Sequence, residues 1–323
     1  MKKIYFLYSK NVGSINMRCF QIFEVFSKLY KSNMMSIDDP NIYQIRNSII
    51  FFFKFIKDIK ILNLSLIKKK ENYLVFDTID IRMKDIKTKN KTDNFSNIFN
   101  SNHFIYFDYI ITPIKYIYDK CYNNPKIIYI PHHYDIFLKK IQENPDKIDR
   151  ILYNGSLMYI GKIMNELINV EICIDFNKFK TQIDYYSRFK YHLSFYDDSR
   201  VNSELKPITK IATASACGAI IICENTTENI YWLGDDYPFY INLNDKRNSL
   251  RNLIRMINEN QVDEEKIRKA SSKMLELKNR LNIYSIMSDY YLEFIINLLK
   301  LNEKKYLKTK EKFNKRLKKI SSK

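Results

Sequence analysis

Two lysines four residues apart, Lys206 and Lys210, open the stretch KPITKIATASACGAIIICEN at 206–225. An ammonium pair at a helix start is the chemistry of anion binding, because first-turn N–H groups lack intrahelical partners and the helix dipole favours negative charge there. Pro207 suits a first helical turn, Gly218 suits a C-terminal cap, and AIIIC at 219–223 returns as a buried strand. The spacing predicts a helix over 208–217 whose first turn, with Lys206 and Lys210, makes a diphosphate cradle. The same stretch holds four of the chain's five alanines and one of its five glycines. Ala212, Ala216 and Ala219 let such a helix pack closely on a sheet. A tightly packed helix carrying two solvated lysines is the other reading of the same residues.

The elements that must position this stretch alternate along the chain. KIYFLYS (3–9), YLVFDTID (73–80), DYIITP (108–113) and KIIYIP (126–131) read as short buried strands, with helical runs at 16–32 and 114–122 between them. A second series follows the polar, Pro-containing segment at 142–150: RILYNGS (150–156), NVEICIDF (169–176), YHLSFY (191–196), AIIIC and PFYINL (238–243). Short apolar strands separated by helices indicate parallel βαβ units. The expected fold is α/β, with two Rossmann-like doubly wound domains facing a cleft at the carboxyl ends of their strands. The expected divisions are 1–147, 148–262, C-terminal helices at 263–300 and a basic tail at 301–323. Gly13 and Gly155 fall in the loops after the first strand of each series, where a doubly wound module approaches a ligand's phosphates; a βα turn that merely needs glycine is the alternative.

Composition bounds the rest. The 323 residues carry a net charge of +18, which favours anionic partners without choosing among nucleic acid, acidic lipid and phosphorylated small molecules. Ten Lys/Arg against two Glu fall at 301–323, so the tail reads as a membrane-surface helix, an RNA-touching arm or disorder. Five cysteines without a CxxC pair read as reduced, packed thiols of a cytoplasmic protein, and no secretory leader is evident. The segment at 52–70 places Phe52, Phe55, Ile56, Ile59, Leu62 and Leu66 on one helical face opposite Lys54, Lys57 and Lys68. Such a helix is either a core helix with a solvated face or one lying on an anionic membrane. No metal is expected: adjacent residues such as His132 and His133 point to opposite sides of an extended chain, and Asp197-Asp198 and Asp235-Asp236 read as loop residues.

The order KPxxK, ACGA, aliphatic strand and polar loop resembles the C-terminal, donor-binding domain of GT-B-type glycosyltransferases. LGDDYPFYIN (233–242), ILYNGSLMYIG (151–161) and, in the first half, VFDTID, DYIITPIKYIYDK and KIIYIPHHYD are similar to further segments of that family. The resemblance covers about residues 1–260. It implies a GT-B-like fold and transfer of a sugar from a nucleotide-sugar donor to a glycan or lipid-linked acceptor, such as a growing cell-surface polysaccharide, without a metal cofactor. It implies a cytoplasmic enzyme, peripheral at the inner face of the membrane where the acceptor is lipid-linked. Lys206, Pro207, Thr209 and Lys210 would hold the diphosphate, with Thr213 near the ribose, Ser156 and Gly155 in the facing loop, and Gly13 and Arg18 from the first domain. Asp80, His132 and His133, at predicted carboxyl ends of strands, are the candidates for a general base. Many retaining members carry two glutamates seven apart where this chain has Lys206 and Thr213. That departure leaves a second reading, a GT-B-like protein kept as a binding or assembly surface.

Overall fold

Runs rich in Ile, Phe and Tyr have no polar side to turn to water, so they settle in sheets covered on both faces. The computed structural model, which describes residues 2–9, 13–53, 62–79, 104–141, 147–155, 160, 170–173, 183–197, 202–299 and 303–321, arranges these runs as two wholly parallel sheets. The first holds β1 (Lys3–Tyr8), β2 (Ser32–Ser36), β3 (Ser48–Phe53), β4 (Tyr73–Asp77), β5 (Tyr109–Thr112) and β6 (Ile127–Tyr129), in the order β2-β1-β3-β4-β5-β6. The second holds β7 (Ile148–Asn154), β8 (Val170–Cys173), β9 (Phe189–Ser194), β10 (Ile220–Glu224) and β11 (Tyr240–Ile241), in the order β11-β10-β9-β7-β8. Helices accompany them in chain order: α1 (Ile22–Leu29), α2 (Lys115–Lys120), α3 (Thr209–Ala216), α4 (Thr227–Leu233), α5 (Lys246–Asn258), α6 (Glu264–Arg280), α7 (Leu292–Leu298) and α8 (Glu303–Ser321).

Both sheets grow the same way. The second strand lies outside the first and the third on its other side, so each has a switch point between its first and third strands, where ligands of doubly wound folds bind. The chain divides into two compact units, Met1–Pro131 with Ile283–Lys323, and His132–Asn282. The C-terminal helices are therefore split: α6 belongs to the second unit, while α7 and α8 return to the first.

Two readings of the sequence change here, and one strand is new. Phe52 and Phe53 belong not to a helix but to β3, all six residues of which are buried. A continuous apolar run has no period from which to tell a buried strand from a helix. Of the rest of 52–70, residues 54–61 lie outside the described residues; among the described ones Leu64–Lys68 is helical, with Leu66 exposed and Lys68 paired to Asp108. β2, SNMMS, is too polar to announce itself. The basic tail is a helix with a docked face: Phe313 and Leu317 of α8 are buried, the Phe313 ring lies 5.8 Å from that of Tyr30, and Arg316 donates to the Leu29 carbonyl.

A buried ion pair organises the carboxyl edge of the first sheet. Arg18, in the π-helical stretch Asn16–Gln21, and Asp77, the last residue of β4, are both fully buried. The guanidinium donates to Asp77 Oδ2 at 2.7 and 3.2 Å and to the Pro131 carbonyl at 2.7 Å. Asp77 also accepts from Ile79 N at 3.0 Å and lies 3.4 Å from the Tyr291 hydroxyl, which ties in the C-terminal return. The alternative in which Arg18 faces water does not hold, because its side chain is fully buried and bonded to Asp77 and the Pro131 carbonyl. Removing one member strands the other as an uncompensated buried charge. Arg18→Met is expected to lower unfolding free energy by about 3–5 kcal/mol, and Arg18→Met with Asp77→Leu by clearly less; urea denaturation of the two variants checks this.

Candidate functional site

At the switch point of the second sheet, five pieces of chain converge. Helix α3 begins at Thr209, with Ile208 as its N-cap, two residues later than Pro207 suggests. Lys206 lies in extended backbone just after the 3-10 turn Ser203–Leu205, so it is outside the helix. It shares a pocket with Lys210 all the same, together with Ser194, Tyr196, Glu224 and Thr226. What brings them together is the burial of α3: Ile211 to Ala216 are all buried, with Ala212, Ala214 and Ala216 fully so, and the helix packs on β9, β10 and α6. Its end is closed by a Schellman arrangement, in which Ala219 N donates to the Ala214 carbonyl at 2.9 Å and Gly218 N to Ser215 at 3.0 Å. Gly218 has φ +61° there, the conformation for which glycine is suited.

Lys210 Nζ is buried and has no hydrogen-bond partner among the described residues. It lies 4.4 Å from the centroid of the Tyr153 ring and 4.9 Å from that of Tyr196. Desolvation pushes its pKa down from the ordinary 10.5 to about 7; Glu224 opposes the shift and Lys206 adds to it. Lys206 Nζ lies 5.8 Å from the Tyr196 centroid. Glu224, closing β10 at 2% exposure, pairs with Lys246 of α5 at 2.5 Å and is hydrogen-bonded by Ser203. Burial raises the Glu224 pKa, and Lys246 pulls it back. Gly155 forms the facing wall, and a Cβ there would come within 2.7 Å of Tyr153 Oη and 3.2 Å of Lys210 Nζ. The glycine is required by close approach rather than by a left-handed turn. The arrangement can attract an anion, with a first-turn N–H set, two lysines and a glycine loop on one side of the sheet.

The other expected residues fall elsewhere. Thr209 is the first residue of α3, and the Thr213 hydroxyl donates back to its carbonyl at 2.9 Å. Gly13 starts a three-residue helical turn after β1 in the first unit. His132 and His133 are buried, the latter with Nδ1 2.7 Å from the Tyr134 carbonyl. Asp80 and Ser156 lie outside the described residues. Among the described residues no group of three His, Cys, Asp or Glu is placed to hold a metal. Sequence reasoning missed Tyr153, Tyr196, Ser203, Glu224 and Lys246. Glu224 had a signal, an acid ending an otherwise apolar strand; Lys246, twenty-two residues on, had none.

No family model and no curated protein matches this sequence. Solved structures do match. A glycosyltransferase from Rickettsia africae ESF-5 is similar with a TM-score of 0.63 and 11% identity, over 93% of this chain and 99% of its own. The S. aureus MnaA-UDP co-structure gives 0.53 and 10%, over 94% and 98%. An E. coli trehalose-6-phosphate structure bound with UDP-2-fluoro glucose gives 0.56 and 7%, over 87% and 95%. Identities this low speak to architecture, and the architecture is the α/β fold of the GT-B-type glycosyltransferases.

Two outcomes follow from the packing. Because folded Lys210 sheds its proton near pH 7 and the unfolded chain keeps it to about 10.5, the unfolded state binds more protons in that window and stability rises with pH across it. Lys210→Met removes this rise, seen by comparing urea midpoints of the two proteins at several pH values. Gly155→Ala forces Tyr153 and Lys210 to shift and is expected to lower stability by about 1–3 kcal/mol, measured in the same assay.

Proposed function

We propose that the chain is a glycosyltransferase that moves a sugar from a nucleotide-sugar donor to a glycan or lipid-linked acceptor, with its second unit holding the donor diphosphate. One observation carries the reading: a buried amino group, Lys210 Nζ, without a hydrogen-bond partner among the described residues, stands in the first turn of α3 at the switch point, against a glycine wall. A leaving diphosphate needs positive charge beside it, and Lys206, the α3 N–H groups and Lys210 in its protonated form would supply it without a metal. The fold supports the class, since structures with UDP or a UDP-sugar in place share it. Thr209 would add a hydroxyl to the diphosphate side and Thr213 its remaining lone pairs toward the ribose. Asp80, His132 and His133 are the residues from which a base would be drawn. Among the described residues no helix is long and apolar enough to cross a membrane.

The alternative, a GT-B-like protein that binds without turnover, is favoured by Lys206 and Thr213 standing where glutamates would hold the donor, and by the commitment of the Thr213 hydroxyl to Thr209. The two readings separate in one series. A nucleoside diphosphate, tested as UDP, GDP and ADP, is expected to raise the melting temperature by several degrees, and Lys206→Ala with Lys210→Ala to abolish the shift. Hydrolysis or transfer of a matching sugar nucleotide marks the enzyme, and binding alone the second reading. A protein indifferent to every common nucleoside diphosphate has neither function.

A further inference from the structure

The space beside Lys210 is about 10 Å³, the room of about one water. A diphosphate cannot enter it, so Lys210 can meet one only by leaving the box of Tyr153 and Tyr196. The groups facing it in the box are those two rings from β7 and the end of β9, Glu224 at the end of β10, and Lys206 beside the 3-10 turn. Glu224 is already engaged by Lys246 and Ser203, so it is not a dedicated counter-ion for Lys210. We propose, resting on the donor-site reading above, that Lys210 reads the charge of the ligand: it is stored uncharged between the two tyrosines and takes up one proton as it swings out onto the diphosphate. The transfer balances simply, with the proton coming from solvent and the ammonium formed pairing with a phosphate oxygen. The low affinity of the box for a proton, near neutrality, is what makes the uptake visible above pH 7. A ligand lacking that second phosphate offers too little charge to draw the side chain out, which makes the site selective for diphosphates over monophosphates.

The test is titration calorimetry of the full chain with UDP, GDP and ADP at about pH 8.5, in two buffers of different ionisation enthalpy. The phosphates themselves titrate at about pH 6, well below this. Uptake close to one proton is expected, with the matching diphosphate binding roughly tenfold or more tighter than its monophosphate. The apparent Kd should weaken by up to about tenfold per pH unit above 7. Lys210→Arg, charged at every pH, is expected to bind without uptake and to flatten that slope; Lys210→Gln, checked for folding by circular dichroism, to bind weakly without uptake. Diphosphate binding with no proton uptake by the unaltered chain overturns the inference and leaves the donor site standing. Uptake that persists in both variants assigns the proton to another group and overturns it too. If no nucleoside diphosphate binds at all, the donor reading and the inference fall together.

Discussion

A cation taken out of water must be given something in return, and the two units answer that constraint in opposite ways. In the first, Arg18 is surrounded by Asp77, the Pro131 carbonyl and Tyr291, so its charge is matched on the spot and its position is locked. In the second, Lys210 Nζ is buried against aromatic faces and has no hydrogen-bond partner among the described residues. The first arrangement fixes a fold; the second keeps a group in reserve. Both stand beside the carboxyl ends of parallel strands, which is where the doubly wound topology leaves helix starts and loop backbones facing outward.

The reserve in the second unit is created by packing. A helix whose buried face is mostly alanine sits close to β9 and β10 and sets Lys210 against Tyr153, and the missing Cβ at 155 spares both side chains a close contact. The Schellman closure at Gly218 then turns the chain straight into β10, whose last residue, Glu224, returns to the same pocket. The single stretch Thr209–Glu224 thus supplies the helix N-terminus, the Lys210 amino group and, after one strand, the acid. Electrostatics at this site is a by-product of close approach, which is why the small residues gather there in a sequence otherwise built of large ones.

Much of this was legible beforehand, because parallel strands buried on both faces leave continuous apolar runs and the α3 stretch stands out by composition. The strand order was not, since nothing local tells β3 to lie beside β1. The run at 48–53 carried too little period to be distinguished from a helix, and β2 carried too little apolar character to be noticed. Lys206 and Lys210 were found together for a partly mistaken reason: they converge because Lys206 is extended outside the helix, not because both sit on its first turn. The buried pairing of Arg18 was not foreseen because its partners, Asp77, Pro131 and Tyr291, are 59, 113 and 273 positions away, and long-range pairing leaves no trace in local spacing. Tyr153 and Tyr196, ordinary aromatics in a chain full of them, gain their role only from what they enclose.

The return of α7 and α8 to the first unit makes that unit discontinuous, while the second is a single stretch of chain, His132–Asn282. On a ribosome, where domains fold as their residues emerge, the second unit has its whole sequence available before the first does. The opening 131 residues must wait for Tyr291 to cover the Arg18–Asp77 pair and for Phe313 to meet Tyr30. The part synthesised first is therefore the part finished last, and its phenylalanine-rich strands stand uncovered on one side in the interval, a period during which a chaperone has most to bind.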